Sequence, residues 1–142
     1  MRARRYSSPA CFLHELEEIE KTGGVRLKRA YDTPAREDGF RVLVDRLWPR
    51  GLKKEAARVD VWLRDLAPST ELRQWYEHEP KKWPEFRRRY RAELRAHATV
   101  LDDLRLRAAK EPVTLLFAGR DPSVSHARVL QELLTRQPRG AR

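Results

Sequence analysis

Phe40-Arg41-Val42-Leu43-Val44-Asp45-Arg46-Leu47-Trp48-Pro49-Arg50-Gly51 runs from an apolar segment straight into charged side chains and then into a Pro/Gly turn. Val42, Leu43 and Val44 show no polar alternation, which is the pattern of a short strand covered on both faces, and Pro49 and Gly51 stop it. In open α/β sheets ligands lie beyond the carboxyl ends of the strands. That rule places Asp45, Arg46 and Arg50 at the mouth of a crevice.

Working outward, Val113-Thr114-Leu115-Leu116-Phe117-Ala118 reads as a second buried strand. Gly119-Arg120-Asp121-Pro122 turns it into a last helix, capped by Ser123 or Ser125 and apolar along Val129, Leu130, Leu133 and Leu134. Val25 and Leu27 alternate with Arg26 and Lys28, the period of an edge or near-edge strand with one wet face, before Asp32-Thr33-Pro34 turns the chain. Leu52 to Ala57 predicts a short helix, and Val59 to Leu63 alternates towards a third strand with Arg64 and Asp65 at its end. Three helices follow. Ser69 caps the first, which carries Leu72, Trp75 and Tyr76 on one face. The second starts near Pro84 with Phe86, Tyr90 and Leu94 at i, i+4 and i+8. A break near His97 to Ala98 precedes the third, with Thr99 as its cap and Leu101, Leu104 and Ala108 facing inward.

This order of elements predicts one α/β domain over residues 25–137. Its small, mostly parallel sheet of about four strands is covered by helices, with a three-layer tendency. Residues 1–24 read as an N-terminal helical extension: Ser8 and Pro9 open it, Phe12, Leu13, Leu16 and Ile19 form an apolar stripe, and Gly23-Gly24 ends it. Residues 138–142 read as a frayed tail.

The chain has 142 residues, 40% hydrophobic and 37% charged, with a net charge of +10. Length and apolar content suffice for a folded core, which sets the chain apart from disordered sequences. Arg2, Arg4, Arg5 and Lys21 cancel Glu15, Glu17, Glu18 and Glu20, so the positive excess lies downstream of the extension. A field of that sign attracts phosphates in nucleotides, nucleic acid or lipid surfaces. The single cysteine, Cys11, forms no internal disulfide, and no CxxC pair or His/Cys cluster has metal-ligand spacing, so a reducing cytoplasm is expected. No apolar run reaches the roughly 20 residues of a membrane span, and the N-terminus lacks a secretory core, so no membrane partner is expected. GxxxxGK[ST] and GxGxxG loops are missing, as is the CxxxxxR loop of cysteine phosphatases, and no cofactor is assigned.

The Tyr31-Asp32-Thr33-Pro34 turn, the run Asp45 to Gly51, the stretch Trp62 to Tyr76 and the final Val113 to Asp121 with His126-Ala127 together resemble the YeaO-like family of small bacterial and archaeal proteins, domain of unknown function 488. The resemblance covers roughly Val25 to Thr135. It implies a compact α/β domain without a known cofactor, and it brings no established activity. Ser125 stands where relatives often carry Asn before the His, and the first 24 residues have no counterpart.

If the strands ending at Asp45, Asp65 and Asp121 are parallel, one rim gathers their carboxylates with Arg46, Arg50, Arg64 and Arg120, and with His126 on the following helix. Acids beside guanidiniums suit a site that holds an anion while keeping a base ionised. On this reading the chain is an enzyme or ligand-binding domain for a phosphorylated compound, a nucleotide or nucleic-acid end. Asp45, Asp65 and His126 are the catalytic candidates. Arg46, Trp48, Arg50, Arg64, Arg120 and Asp121 are the ligand-binding candidates. The plainer reading makes each Asp-Arg neighbour a structural ion pair and His126 a hydrogen-bonding residue.

Two rivals remain open. Arg87, Arg91 and Arg95 line up along the helix from Pro84, with Arg88 alongside and aromatics interleaved, which suits a noncatalytic nucleic-acid-binding module. The simpler alternative is a solvated face with i, i+4 pairs such as Glu85 to Arg89. The third reading is a homodimer joined through Phe12, Leu16 and Ile19.

Overall fold

Strands β1 (Val25–Arg29), β2 (Phe40–Leu43), β3 (Val61–Trp62) and β4 (Val113–Phe117) build one sheet in a computed structural model that describes residues 24–135. The expected N-terminal helix, its dimerising stripe and the C-terminal tail lie outside the described residues. All four strands are parallel, in the order β1-β4-β2-β3. The last strand in the chain therefore occupies the interior, with Leu115 opposite Leu27 on one side and Val42 on the other. Both interior strands are the aliphatic runs that sequence periodicity marks as buried on two faces, and every residue of β4 is buried.

The α-helices among the described residues are α1 (Lys54–Ala57), α2 (Thr70–Tyr76), α3 (Trp83–Leu94), α4 (Ala98–Ala108) and α5 (His126–Thr135). The main core joins Val42, Val44, Leu115 and Phe117 of the sheet side to Leu72, Phe86, Tyr90, Leu104 and Leu130 from the helices. Each fully buried side chain of this size contributes roughly 1.5–3 kcal/mol, so this face dominates stability. The opposite face is thinner. Ala30, Leu43 and Leu116 are covered there by Trp48, Leu52 and Val59 from the β2–β3 connection and by Trp62 of β3.

Local signals explain most helix ends. Ser69 Oγ accepts the Leu72 amide at 3.1 Å and donates to Glu93 Oε2 at 2.6 Å, so the cap of α2 is also its tether to α3. The break between α3 and α4 is a 3-10 turn over Arg95–His97. Thr99 does not cap α4: the helix begins at Ala98, with His97 at the cap position making no side-chain bond. The third strand is also shorter than expected. Only Val61 and Trp62 pair with β2, after which the chain tightens into a 3-10 turn at Arg64–Leu66.

Beside the amino ends of the strands lies a buried charge cluster. Arg41, 4% exposed, donates to Asp38 and to the carbonyls of Arg58 and Ala57 at 3.0 and 2.7 Å. Asp38 also accepts from Lys28 Nζ at 3.1 Å and from the Ala35 amide at 2.9 Å. Gly39 closes this loop at φ 65°, and a Cβ there would stand 2.2 Å from the Pro112 carbonyl oxygen. That oxygen accepts the Phe40 amide at 2.9 Å, so β2 meets the start of β4 through glycine alone. Among the described residues no helix is long and apolar enough to cross a membrane.

Candidate functional site

The carboxyl ends of β2 and β4 open into a cavity of about 750 Å³. Its walls come from five places: Asp45 to Arg50 after β2, Ala118, Gly119 and Val124 to His126 after β4, residues of the stretch Ala67 to His78 around α2, Phe86 of α3, and Tyr31 after β1. Two adjacent interior strands thus end where the chain leaves the sheet, the position expected of a ligand site in this fold class.

Asp45 is the hub of the floor. Its Oδ2 accepts the Ala118 amide at 2.9 Å, and its backbone carbonyl accepts the Trp62 indole N–H at 2.7 Å. His126 Nε2 lies 3.0 Å from the Val44 carbonyl and 3.1 Å from Asp45 Oδ1. Both neighbours are acceptors, so Nε2 carries the proton; that proton is aimed at Val44, and Oδ1 keeps only an electrostatic contact. Nδ1 makes no hydrogen bond among the described residues, which leaves it as the ring's free donor or acceptor. His126 begins α5 directly after Ser125, whose Oγ accepts the Ala127 amide at 2.9 Å. Serine therefore performs the capping at this position.

Three guanidiniums share the cavity with this carboxylate. Arg46 is anchored by Nη2 to the carbonyls of Ala67 and Pro68, both at 3.3 Å, and its Nε is buried without a partner. Arg50 and Arg73 are exposed, and their side chains make no hydrogen bond or ion pair among the described residues. Tyr76 closes the wall, donating to the Val124 carbonyl at 3.1 Å; burial, and after it the charge of Asp121, pushes its phenol up in pKa and keeps it a donor. Among the described residues no group of three or more His, Cys, Asp and Glu side chains is arranged to hold a metal ion.

Of the residues singled out in the sequence, Asp45, Arg46, Trp48, Arg50 and His126 meet in this cavity. Arg64, Asp65, Arg120 and Asp121 do not line it. The expected shared rim of three carboxylates is thereby corrected to one. The short β3 is the reason: its early turn leaves Asp65 exposed, while the Arg64 guanidinium lies 3.9 Å from the centre of the Trp62 ring. Asp121 instead caps the turn after β4, where the Ser123 hydroxyl at 2.7 Å and amide at 2.9 Å hold its carboxyl below the ordinary range. Tyr31, Arg73 and Tyr76 are wall residues that local pattern does not reveal, and His78, at φ 57° just past α2, joins them.

The basic helix face is largely occupied. Arg87 and Arg91 reach across to Glu132 of α5 at 2.7 and 3.1 Å. Burial opposes ionisation of Glu132, but Arg87, Arg91 and Arg128 outweigh it and hold the carboxyl below its ordinary range. Arg88 and Arg89 clasp Glu85 at 2.6 and 2.8 Å, Arg88 first in effect, and lower its pKa to about 2. Phe86 and Tyr90 are core. Of the aligned arginines only Arg95 points free of an ion pair among the described residues.

Residues 24–140 match the family model described as the inactive DUF488-N3 subclade. The chain is 46% identical over 110 residues to an uncharacterised protein of Mycobacterium tuberculosis strain H37Rv, spanning 78% of this chain and 92% of that one. It is 42% identical over 110 residues to the uncharacterised protein YeaO of Escherichia coli K12, spanning 78% and 96%. No solved structure matches it.

Proposed function

The chain belongs to the YeaO-like DUF488 family, in its inactive N3 subclade, and from that premise we propose that it is a binding domain for a phosphorylated, anionic compound held at the carboxyl ends of β2 and β4. The subclade's description as inactive favours recognition over turnover. The observation that carries the reading is the charge imbalance of the cavity: Arg46, Arg50 and Arg73 face one carboxylate, and Asp45 is already engaged by Ala118 and His126. Unpaired guanidiniums over a concave, partly desolvated hollow offer bidentate donors that suit phosphate oxygens. Arg46, pre-oriented by two carbonyls, and the exposed Arg50 and Arg73 form the clamp. Asp45 positions His126, whose free ring nitrogen meets the ligand. The lone Cys11 suits a cytoplasmic setting.

Titration of the full chain with inorganic pyrophosphate and sugar phosphates, read by calorimetry, tests the proposal. Saturable binding that is lost in Arg50→Ala/Arg73→Ala is the expected result. Binding that is undetectable in the wild type, or unchanged in the double variant, overturns it.

A further inference from the structure

The cavity holds more than cations. Tyr31 stands at its rim, 43% exposed yet fixed from two directions. The phenol donates to the Arg50 carbonyl at 2.8 Å, and the Arg29 guanidinium lies 5.3 Å from the ring centroid. Arg29 is itself held by the carbonyls of Gly119 and Ala118 at 2.8 and 3.1 Å. One face of the ring is thus backed by an anchored cation, and Tyr31 keeps 43% of its surface exposed where it lines the cavity. Trp48, a second ring in the wall, is equally restrained: its indole donates to the Leu52 carbonyl at 2.6 Å and meets Trp62 edge-on, centroids 5.5 Å apart.

Rings held in place before a ligand arrives lose little freedom on stacking, which is where exposed aromatic surface becomes affinity. A bare oxyanion would use the guanidiniums and leave these rings idle. The cavity, at about 750 Å³, lies in the range of roughly 300–1,000 Å³ typical of sites for whole organic ligands. Resting on the anion-binding reading of the same site, we propose that the ligand is a mononucleotide, its phosphate on Arg46, Arg50 and Arg73 and its base stacked on the open face of Tyr31. Stacking accepts any base, so the preference is for a flat ring rather than for one sequence letter. The tie from Tyr31 to Arg50 also links the two halves of the ligand, since the ring and the turn carrying the phosphate donor move together.

Calorimetric titration of the full chain with AMP, UMP, ribose 5-phosphate and adenosine separates the two levels of the claim. Both nucleotides should bind about tenfold or more tightly than ribose 5-phosphate, the scale of one stacked base. Tyr31→Ala should erase that difference while ribose 5-phosphate still binds, and Tyr31→Phe should keep it. Equal affinity for ribose 5-phosphate and the nucleotides, or a difference that survives Tyr31→Ala, overturns the stacking inference and leaves the anion reading intact. Failure of every phosphate to bind, or adenosine binding as tightly as AMP, strikes the anion reading itself and takes the nucleotide with it.

Discussion

Asp45 Oδ1 stands 3.1 Å from His126 Nε2, while the other oxygen of the same carboxylate takes the Ala118 amide at 2.9 Å. One side chain thus joins the exits of β2 and β4 to the first turn of α5. Asp45→Ala leaves a partly buried amide without its acceptor and should cost about 1–3 kcal/mol. Asp45→Asn retains a carbonyl oxygen for Ala118 and should cost less. Urea denaturation of both variants measures the difference; equal losses would mean that the Ala118 bond contributes nothing.

The side chains of Arg50 and Arg73 pair with nothing among the described residues, so replacing either by Ala should change stability by no more than about 0.5 kcal/mol. Anion affinity should nonetheless fall, and wild-type affinity should weaken as salt rises, because exposed charges are screened. Thermal melts beside titrations at two ionic strengths would check this. A folding defect in either variant would make that arginine structural.

Asp38 gives the protein an acid-sensitive element. Burial works against its charge, but the Ala35 amide, Lys28 and Arg41 prevail, and its pKa falls below the ordinary value of 3.8. A carboxyl lowered in the folded state adds stability above that ordinary value and loses it as pH drops from there through the folded value. Wild-type stability should therefore decline with acid in that window. Asp38→Asn, which leaves Arg41 short of its counter-ion, should be lower by about 3–5 kcal/mol at neutral pH and flatter in acid. Denaturation midpoints from pH 7 down to about pH 2 decide it, and parallel curves for the two proteins would refute it.

Glu132 holds two arginines of α3 in ion pairs, which takes up charge that a phosphate track would use. Glu132→Gln should release them at a cost of up to about 1 kcal/mol, the range of partly exposed pairs. The variant should bind duplex DNA more tightly than the wild type at low salt, with a steeper salt slope. Fluorescence anisotropy with a labelled duplex reads both, and wild-type binding as strong as the variant's would return the helix face to consideration.

Much of this architecture was legible in the sequence because it follows from unbroken aliphatic runs. Val42 to Val44 and Val113 to Phe117 announce interior strands, and the rule that ligands gather at strand exits carries Asp45, Arg46, Arg50 and His126 to one hollow. The Ser69 cap and the helix break near His97 are local signals and were equally readable. Asp65 was misplaced because alternation over Val59 to Leu63 does not reveal that β3 pairs at only two residues, and Asp121 because its carboxylate turns to cap Ser123. The Asp38–Arg41 cluster and the wall residues Tyr31, Arg73 and Tyr76 carry no local mark. Their partners are distant in the chain, and only the packing of loops and helices on the sheet brings them together.

The interior seat of β4 sets a timetable for synthesis. A nascent polypeptide released only as far as α4 offers β1 no neighbour to bond with and gives β2 nothing but a two-residue companion. Closing loops of that length precedes any reward from pairing, so the sheet zips late. Until β4 emerges, the apolar flanks of α2, α3 and α4 lack the sheet face they pack against in the folded domain.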